Sequence, residues 1–330
     1  MLKLSFILLT LMSFSSSLFA ASFTVMTYNV ENLFNTSHDE GKRDWAYLPK
    51  SKKGKGEQAA YCKTQNSTWR KKECEELDWS EAVLDKKMKN LAEVILYKSP
   101  DVLILQEVEN LEVLEQLQKK YLLSSGYKYA SLVEGKDKRG IDVAIVSKFA
   151  PVGKAVYHQV PYSNPDWQYT RGILQVDYKL DGDKSLSVFG VHFPSAANPH
   201  VKRAIAMEYL NSLAGESKSN IVIAGGDFNS ISTEDSRLYR KIAFETWYVS
   251  HLEACKNCLG TNYFSRADSW SFLDAILLSK TSVAKMDYSS VEVMNKLANQ
   301  RNPDGSPKRF DLQSGKGVSD HFPVFAVFNY

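Results

Sequence analysis

Arg171-Gly-Ile-Leu-Gln-Val-Asp-Tyr178 and Leu186-Ser-Val-Phe-Gly-Val-His192 are two neighbouring stretches that decide the fold class. Both are rich in β-branched and aromatic residues, which is typical of β-strands. The residues between them, 179–185, carry no helix pattern. Strands that follow one another without a helix indicate a mixed or antiparallel sheet rather than a doubly wound parallel sheet.

The rest of the chain adds helices to this sheet pattern. Phe23–Val30 is predicted to be the first strand. Ser80 can cap a helix that Pro100 terminates, and a buried strand over 101–106 follows. Further helices are predicted near 111–121, 199–213 and 233–242, and further strands near 141–146, 221–224, 271–278 and 324–328. The pattern predicts an α/β (α+β) protein in which strands outnumber helices.

The composition is that of a globular protein. The chain has 330 residues, of which 44% are hydrophobic and 24% charged, so it can bury a large core. The formal net charge is +3, which gives no argument for nucleic-acid binding from total charge. Any electrostatic attraction to a substrate must therefore be local.

Residues 1–20 have the features of a secretory signal peptide. Lys3 precedes an apolar run over 6–14, small residues follow, and cleavage is expected after Ala20. The apolar run is shorter than the roughly 18 to 20 residues that a spanning helix needs. We expect an exported protein, periplasmic or extracellular.

Export places the four cysteines in a compartment where disulfides form. Pairing Cys62 with Cys74 and Cys255 with Cys258 closes short loops and is the simplest of the three connectivities. The Cys255–Cys258 spacing also occurs in redox and zinc motifs. No second CxxC completes a zinc site and no βαβ start precedes the pair, so we expect structural disulfides.

A polar, basic segment over about 36–79 interrupts the strand and helix pattern and is interpreted as an insertion. Residues 42–72 carry ten Lys or Arg (Lys42, Arg43, Lys50, Lys52, Lys53, Lys55, Lys63, Arg70, Lys71, Lys72) against Asp44 and Glu57. Tyr47, Tyr61 and Trp69 interleave with these charges. Such a segment can bind phosphates and stack on bases, although charge runs are often only solvated surface.

Polar side chains stand at the ends of several predicted strands. They are Asn29, Glu107, His192, Asp227, Asn229, Asp274 and the pair Asp320-His321. A single Asp in such a place is usually a turn residue, and a single His is usually a core or surface residue. The recurrence of such residues at several strand ends is a more specific signal than any single residue, so we treat them together as one candidate site.

These residue types suit metal-assisted attack of water. Glu107, Asp320 and Asn29 offer the oxygen ligands that Mg²⁺ or Mn²⁺ prefers. Asp274 interrupts an apolar strand and can fix the tautomer of His321 as a general base. A second histidine, His192, can protonate the departing oxygen, and amides such as Asn229 can hold a phosphate oxygen.

The order of local motifs resembles the endonuclease/exonuclease/phosphatase superfamily, which includes deoxyribonuclease I, abasic-site endonucleases and neutral sphingomyelinases. The motifs are Thr27-Tyr-Asn-Val-Glu-Asn-Leu-Phe34, Leu105-Gln-Glu-Val-Glu-Asn110, Arg139-Gly-Ile-Asp-Val143, Val191-His-Phe-Pro-Ser195, Gly226-Asp-Phe-Asn229, Ser271-Phe-Leu-Asp274 and Ser319-Asp-His-Phe-Pro323. The resemblance covers nearly the whole mature chain. It implies a four-layered α/β sandwich of two mixed sheets flanked by helices, built as one domain over 21–330. It also implies hydrolysis of phosphate esters with Mg²⁺, with Mn²⁺ or Ca²⁺ as alternatives.

The resemblance also assigns roles. Glu107 resembles the principal metal ligand, with Asn29 and Asp320 beside the metal. Asn29 is also expected to contact substrate. Asp227 and Asn229 resemble the pair that positions water and phosphate.

The histidines are assigned in the same way. His321 resembles the general base or phosphate-binding histidine, with Asp274 as its carboxylate partner. Whether His321 or Asp227 accepts the proton of the attacking water stays open. His192 falls where deoxyribonuclease-like members have a general acid and abasic-site endonucleases have a tyrosine. Asp142 is a weaker candidate to orient His192, and Arg171 a weaker candidate to bind phosphate.

The predicted activity is that of a secreted nonspecific nuclease acting on DNA or RNA. A secreted sphingomyelinase is the main alternative, because it would share the catalytic residues. Such an enzyme should expose an apolar hairpin to enter lipid, and Thr246-Trp-Tyr-Val249 is the candidate membrane-contacting stretch. A sugar or inositol phosphate phosphatase is a third interpretation. A noncatalytic binding protein is disfavoured because it predicts loss of a motif residue, and none is lost. No protein partner is inferred.

Overall fold

The computed structural model describes residues 21–255 and 257–330, so the predicted signal peptide lies outside the described residues. The strands are β1 (Ser22–Leu33), β2 (Val102–Val108), β3 (Tyr129–Leu132), β4 (Asp142–Ser147), β5 (Val156–His158), β6 (Ile173–Lys179), β7 (Ser185–His192), β8 (Ile221–Asp227), β9 (Trp247–Val249), β10 (Asn262–Phe264), β11 (Ser269–Ser271), β12 (Asp274–Ser279), β13 (Lys285–Val293) and β14 (Val324–Asn329). The helices are α1 (Gly56–Lys63), α2 (Thr68–Glu76), α3 (Glu81–Lys98), α4 (Leu111–Leu117), α5 (His200–Glu216), α6 (Asp235–Arg237) and α7 (Ser250–Glu253). Residues Gln118–Leu122 and Leu238–Ala243 continue α4 and α6 as π-helical turns, and 3-10 turns cover Lys50–Lys52, Leu123–Ser125, Pro165–Gln168, Asp181–Asp183 and Ala298–Gln300.

Within the described residues, the strands form two mixed six-stranded sheets and a small hairpin. The first sheet has the order β13-β14-β1-β2-β4-β3, the second has the order β5-β6-β7-β8-β12-β9, and β10 pairs with β11. In each sheet one central pair is parallel, β1 with β2 and β7 with β8. Helices α3 and α5 lie in the connections of these two pairs, because parallel neighbours need a long crossover.

The sheets pack face to face around an apolar core. Val25 of β1 and Ile104 of β2 meet Val188 of β7 and Ile223 of β8 in this core. The packing is close at Gly190, where a Cβ atom would lie 2.7 Å from Cγ1 of Val143 on the facing sheet. Gly190 therefore allows the two sheets to approach each other.

Helices cover the outer face of each sheet. Met26 and Leu103, which alternate with the inward residues, pack with Leu91 of α3. On the other sheet, Ala224 packs with Met207 of α5. The result is the predicted order of helix, sheet, sheet and helix layers, so the α/β sandwich is confirmed. Among the described residues, none of the helices has the length and apolar character to cross a membrane.

The insertion is more ordered than its polar sequence suggests. It contains α1 and α2, which the disulfide Cys62–Cys74 joins with a Cα–Cα distance of 5.6 Å. Cys255 and Cys258 form the second disulfide, so both expected pairs are confirmed. Aromatic packing attaches the insertion to the fold, since Tyr47 stacks on Phe34 and meets Trp79 edge to face.

Candidate functional site

The carboxyl ends of the parallel strands bring four predicted residues to one edge of the sandwich. Asn29 lies in β1 and Glu107 in β2, while His192 ends β7 and Asp227 ends β8. His192 and Asp227 are direct neighbours in the register of the second sheet. The Nδ2 atom of Asn29 donates to Oδ2 of Asp227 at 3.0 Å, and this bond links the two sheets at the site.

Asp274 and His321 complete the buried part of the site. Asp274 begins β12, which pairs antiparallel with β8 and sets Asp274 opposite Asp227. His321 lies just before β14, and its Nδ1 atom is 2.7 Å from Oδ2 of Asp274. Both side chains are buried. The predicted His-Asp dyad is therefore formed in the structure.

Burial and neighbouring charges give these groups unusual proton affinities. Burial, followed by repulsion from Asp274, raises the pKa of Asp227 to about 7. Burial alone would lower the pKa of His321, but the carboxylates of Asp274 and Asp320 raise it well above its ordinary value. At neutral pH, His321 is thus the protonated member and Asp227 is close to its own titration point. This arrangement favours Asp227 as the group that accepts a proton from water.

His192 is a neutral histidine in this site. Its Nε2 atom lies 3.5 Å from Oδ2 of Asp227. Burial, together with the guanidinium groups of Arg171 and Arg139, lowers its pKa well below the ordinary value. Its Nδ1 atom has no hydrogen-bond partner among the described residues. His192 can therefore donate a hydrogen bond as a neutral imidazole, and an imidazolium is disfavoured before substrate arrives.

Asn229 is held by a strained turn after β8. Its φ of 51° lies in the left-handed region, and its backbone N–H donates to Oδ1 of Asp227 at 2.8 Å. Its Nδ2 donates to the carbonyl of Phe193 at 3.0 Å. Gly226 is required here because a Cβ atom would lie 2.0 Å from the carbonyl oxygen of Val191. Strain of this kind is common at functional sites.

Glu107 and Asp320 face an open cleft beside the buried cluster. The cleft has a volume of about 1100 Å³. Glu107 has a φ of 64°, and its Oε2 accepts a hydrogen bond from the backbone N–H of Asn32 at 3.1 Å. Oδ2 of Asp320 is 2.5 Å from Nη2 of Arg309. The same guanidinium pairs with Glu31 at 2.6 Å, so Arg309 neutralises two carboxylates at the edge of the cleft.

The oxygen-rich cleft fits a hard divalent cation. Glu107 and Asp320 present carboxylates there, and burial together with Asp320 raises the pKa of Glu31 to about 7. Asn29 stands between the cleft and the buried cluster, since its Oδ1 accepts from the N–H of Glu31 at 3.0 Å. Glu107, Asp320 and Asn29 are the residues that would hold a divalent cation.

A second group of side chains also has the spacing of a metal site. Ligand atoms of Asp227, Asp274 and His321 all lie within 4.8 Å of one another. In this group the Nδ1 atom of His321 is already hydrogen-bonded to Asp274. That bond favours an acid–base interpretation of the three residues over a metal site.

The two weaker candidates, Arg171 and Asp142, have other partners in the structure. Arg171 lies at the site, but its guanidinium is already paired with Asp137 at 2.7 Å and donates to the carbonyl oxygens of His192 and Phe193. It shapes the wall around His192. The expected hydrogen bond between Asp142 and His192 is not formed. Oδ1 of Asp142 accepts from the N–H of Gly135, and neither Oδ2 of Asp142 nor Nδ1 of His192 has a partner among the described residues.

Glu31 and Arg309 are site residues that the sequence reasoning missed. Glu31 lies two residues after Asn29 in the same motif, so its position is a usable signal. Arg309 lies in a segment with no strand or helix pattern and contacts a residue 278 positions away. Lys87 of α3, also missed, is buried and donates to the carbonyl oxygens of Glu31 and Val318.

The basic charges of the insertion have two different roles. Among the ten, Arg43 and Arg70 line the cleft. Lys52 and Lys53 instead donate to the carbonyl oxygens of Thr36 and Ala46, at 3.0 and 2.7 Å. These two lysines fix the backbone of the insertion.

The sequence between 70 and 329 matches the model of the Endonuclease/Exonuclease/phosphatase family. The chain belongs to this family. Membership makes it a hydrolase of the phosphodiesterase and nuclease type, and enzymes of the family generally depend on a divalent metal. No curated protein sequence is significantly similar to this chain.

Solved structures of low identity share the fold over nearly the whole chain. Humanized D. rerio TDP2 with 14 mutations aligns at 15% identity and a TM-score of 0.61, covering 94% of this chain and 99% of its own. D. rerio TDP2 complexed with single strand DNA product aligns at 16% and 0.59, covering 94% and 100%. An endonuclease/exonuclease/phosphatase family protein from Bacteroides thetaiotaomicron aligns at 17% and 0.56, covering 94% and 98%. These likenesses establish the fold.

Proposed function

We propose that this protein is an exported, Mg²⁺-dependent phosphodiesterase that hydrolyses nucleic acid by attack of water. The observation that carries the proposal is the buried cluster in which Asp227 lies between Asn29, His192 and the Asp274–His321 pair. A carboxylate with a pKa near 7 is matched to general-base work at neutral pH. The adjoining cleft supplies the oxygen ligands for the cation.

Each residue has a role in this reaction. Asp227 accepts a proton from the attacking water, and the Asn29 amide orients its carboxylate. Protonated His321, held by Asp274, stabilises the charge that develops on a nonbridging phosphate oxygen, and Asn229 adds an amide donor. The N–H of neutral His192 stabilises the departing oxygen. Glu107, Asn29 and Asp320 would hold Mg²⁺, which supplies Lewis-acid stabilisation of the phosphoryl group when bound.

Nucleic acid is the favoured substrate because exposed guanidinium groups of the insertion lie on the cleft. Arg43 and Arg70 line it and are exposed, whereas Arg309 is already paired with Glu31 and Asp320. Cationic side chains of this kind contact phosphate backbones without base preference. The D. rerio TDP2 relative was crystallised with a single strand DNA product, which supports the same substrate class.

Export is part of the proposal and has its own test. The supporting features are the apolar run in residues 1–20 and the two disulfides. Expression of the full chain in a Gram-negative host should give a protein in the periplasm or medium whose N-terminal residue is Ala21. A cytoplasmic product that begins at Met1 would refute export.

A lipid substrate is kept as the second candidate because of the β10–β11 hairpin. Phe264 is 55% exposed on this hairpin, and Leu259 beside it is 70% exposed. The hairpin borders the site, since Asn262 pairs with His321 and its Nδ2 donates to the carbonyl of Asp320. The stretch suggested from the sequence is a poorer membrane contact, because Trp247 is buried.

The deciding experiment compares plasmid DNA, single-stranded RNA and sphingomyelin vesicles as substrates, each with Mg²⁺ and with EDTA. The protein should lack residues 1–20 and have both disulfides formed. Metal-dependent nicking of plasmid or cleavage of RNA is the expected result. Turnover of sphingomyelin alone would move the substrate to lipid, and Phe264→Ser should then reduce activity on vesicles.

A further inference from the structure

The insertion forms one wall of the cleft that contains the metal carboxylates. The cleft is bounded by Tyr61, Trp69 and Arg70 from α1 and α2, while Glu107 and Asp320 line the same cavity. A segment that the family motifs do not include therefore reaches the catalytic edge. Its exposed groups contact whatever part of the substrate extends from the scissile phosphate.

This wall is preformed. Cys62 of α1 is joined to Cys74 of α2, and the Nε2 atom of Gln58 donates to the carbonyl of Cys74 at 2.9 Å. The bond from Nε1 of Trp79 to the carbonyl of Phe34 fixes the chain that returns to the fold. A substrate then binds the wall without first ordering it, which avoids part of the entropy cost of binding.

The wall exposes an aromatic and a cationic side chain, and the half-buried Glu73 of α2 also lines the cleft. Trp69 is 67% exposed, which is unusual for the largest apolar side chain. Arg70, the next residue, is exposed, and Arg43 brings a further exposed guanidinium to the cleft. An indole ring can stack on a nucleobase while neighbouring guanidinium groups bind the phosphates on either side of it.

Stacking on Trp69 requires a base with a free face. Within a duplex, both faces of a base are covered by its neighbours, and extrusion costs free energy. Bases of a single strand can stack on aromatic side chains directly. We infer that the wall formed by α1 and α2 is a binding site for unpaired nucleotides, with Trp69 as the stacking platform, so that the enzyme prefers single-stranded nucleic acid. This inference rests on the proposed nuclease function.

The test uses one fluorescent 20-nucleotide DNA, free and annealed to its complement, with the disulfide-bonded protein. Binding is measured in EDTA by anisotropy, and hydrolysis is measured with Mg²⁺. Trp69→Ala should weaken single-strand binding roughly 5- to 150-fold, the range for loss of one base–aromatic stack. The loss should be smaller for the duplex. Trp69→Phe should restore most of the affinity, which a merely structural effect would not predict.

Matched controls separate local from general effects. Tyr97→Ala removes an aromatic side chain on α3 that is 52% exposed and does not line the cleft, so its affinity should match wild type. Arg70→Gln should reduce the salt dependence of binding, whereas Lys63→Gln, in the same insertion and outside the cleft lining, should reduce it less.

The possible results separate failure of this inference from failure of the proposed nuclease function. Unchanged single-strand affinity in Trp69→Ala, or a wild-type preference for the duplex, would overturn the inference while nuclease activity remained. Hydrolysis of bis(p-nitrophenyl) phosphate without cleavage of any nucleic acid would remove the proposed substrate and the inference with it. Binding of choline-headgroup vesicles that depends on Trp69 would assign the wall to lipid and also overturn the inference.

Discussion

The Nδ1 atom of His321 lies 2.7 Å from the Oδ2 atom of Asp274, and both side chains are buried at the edge where the two sheets meet. The bond fixes which ring nitrogen faces Asp274 and leaves Nε2 on the side of Asp320, whose Oδ1 atom lies 3.9 Å away. Oδ1 of Asp274 has no partner within the described part of the chain. The carboxylate therefore acts mainly on His321, which it keeps charged.

We expect His321→Ala to reduce kcat by roughly 100- to 10,000-fold, the range for loss of a positioned acid–base or charge-stabilising group. The reason is that a protonated imidazole at the phosphate is lost. The measurement is Mg²⁺-dependent hydrolysis of bis(p-nitrophenyl) phosphate, with circular dichroism to show that the fold is kept. His158→Ala on the edge strand β5 is the control and should leave kcat unchanged. Wild-type turnover in folded His321→Ala would refute the site.

Glu107→Gln tests the metal assignment because it keeps the shape of the side chain and removes its charge. We expect the half-saturating Mg²⁺ concentration to rise by more than the roughly 10- to 100-fold that loss of a ligand's supporting hydrogen bond costs. The measurement is activity against Mg²⁺ concentration. Glu112→Gln, at the exposed start of α4, should leave the curve in place. An unshifted curve for Glu107→Gln would move the cation to the group of Asp227, Asp274 and His321.

The disulfide of the insertion should matter more for substrate binding than for chemistry. Replacing Cys62 and Cys74 by Ala frees α1 from α2, which lie next to the cleft. We expect KM for single-stranded DNA to rise while kcat changes little, since the catalytic groups lie on the sheets. Replacing Cys255 and Cys258 by Ala should have a smaller effect on KM, because their disulfide closes a much shorter loop. A loss confined to kcat would contradict this division of roles.

Most of the long strands and the candidate site residues were predictable because they combine strong local patterns, but the nine-residue β13 was missed because most of its side chains are exposed or half-buried and a register shift interrupts its pairing. β1, β7 and β14 lie within a few residues of their predicted bounds, and the motif residues follow from their positions at strand ends. The edge strands β5 and β9 were missed because three residues carry too little periodicity. Helix α2 was missed because Cys74 is its one buried residue, so it has no apolar face to detect.

Contacts between distant segments could not be read from local patterns. Arg309 is fixed by Glu31 and Asp320, and neither lies within the same element. The division of the basic insertion into cleft-lining arginines and backbone-binding lysines also depends on how the segment folds back. These features require the tertiary structure.

His251 lies outside the site. Its ring stacks on Phe272 at 4.5 Å, and neither ring nitrogen has a hydrogen-bond partner among the described residues. Burial lowers its pKa to about 3. Below pH 6.5 the unfolded chain takes up a proton that the folded protein refuses, so this histidine removes stability as the pH falls from about 6.5 towards 3.

His251→Phe should therefore flatten the acid side of the stability profile by up to about 1.4 kcal/mol per pH unit between pH 6 and pH 4. The measurement is the free energy of unfolding by urea at several pH values. Phe272→Leu is the control, because it removes the stacking partner without removing the titrating group; it should lower stability by a similar amount at each pH. Parallel profiles for wild type and His251→Phe would show that this histidine is protonated in the folded protein, against the apolar packing that surrounds it.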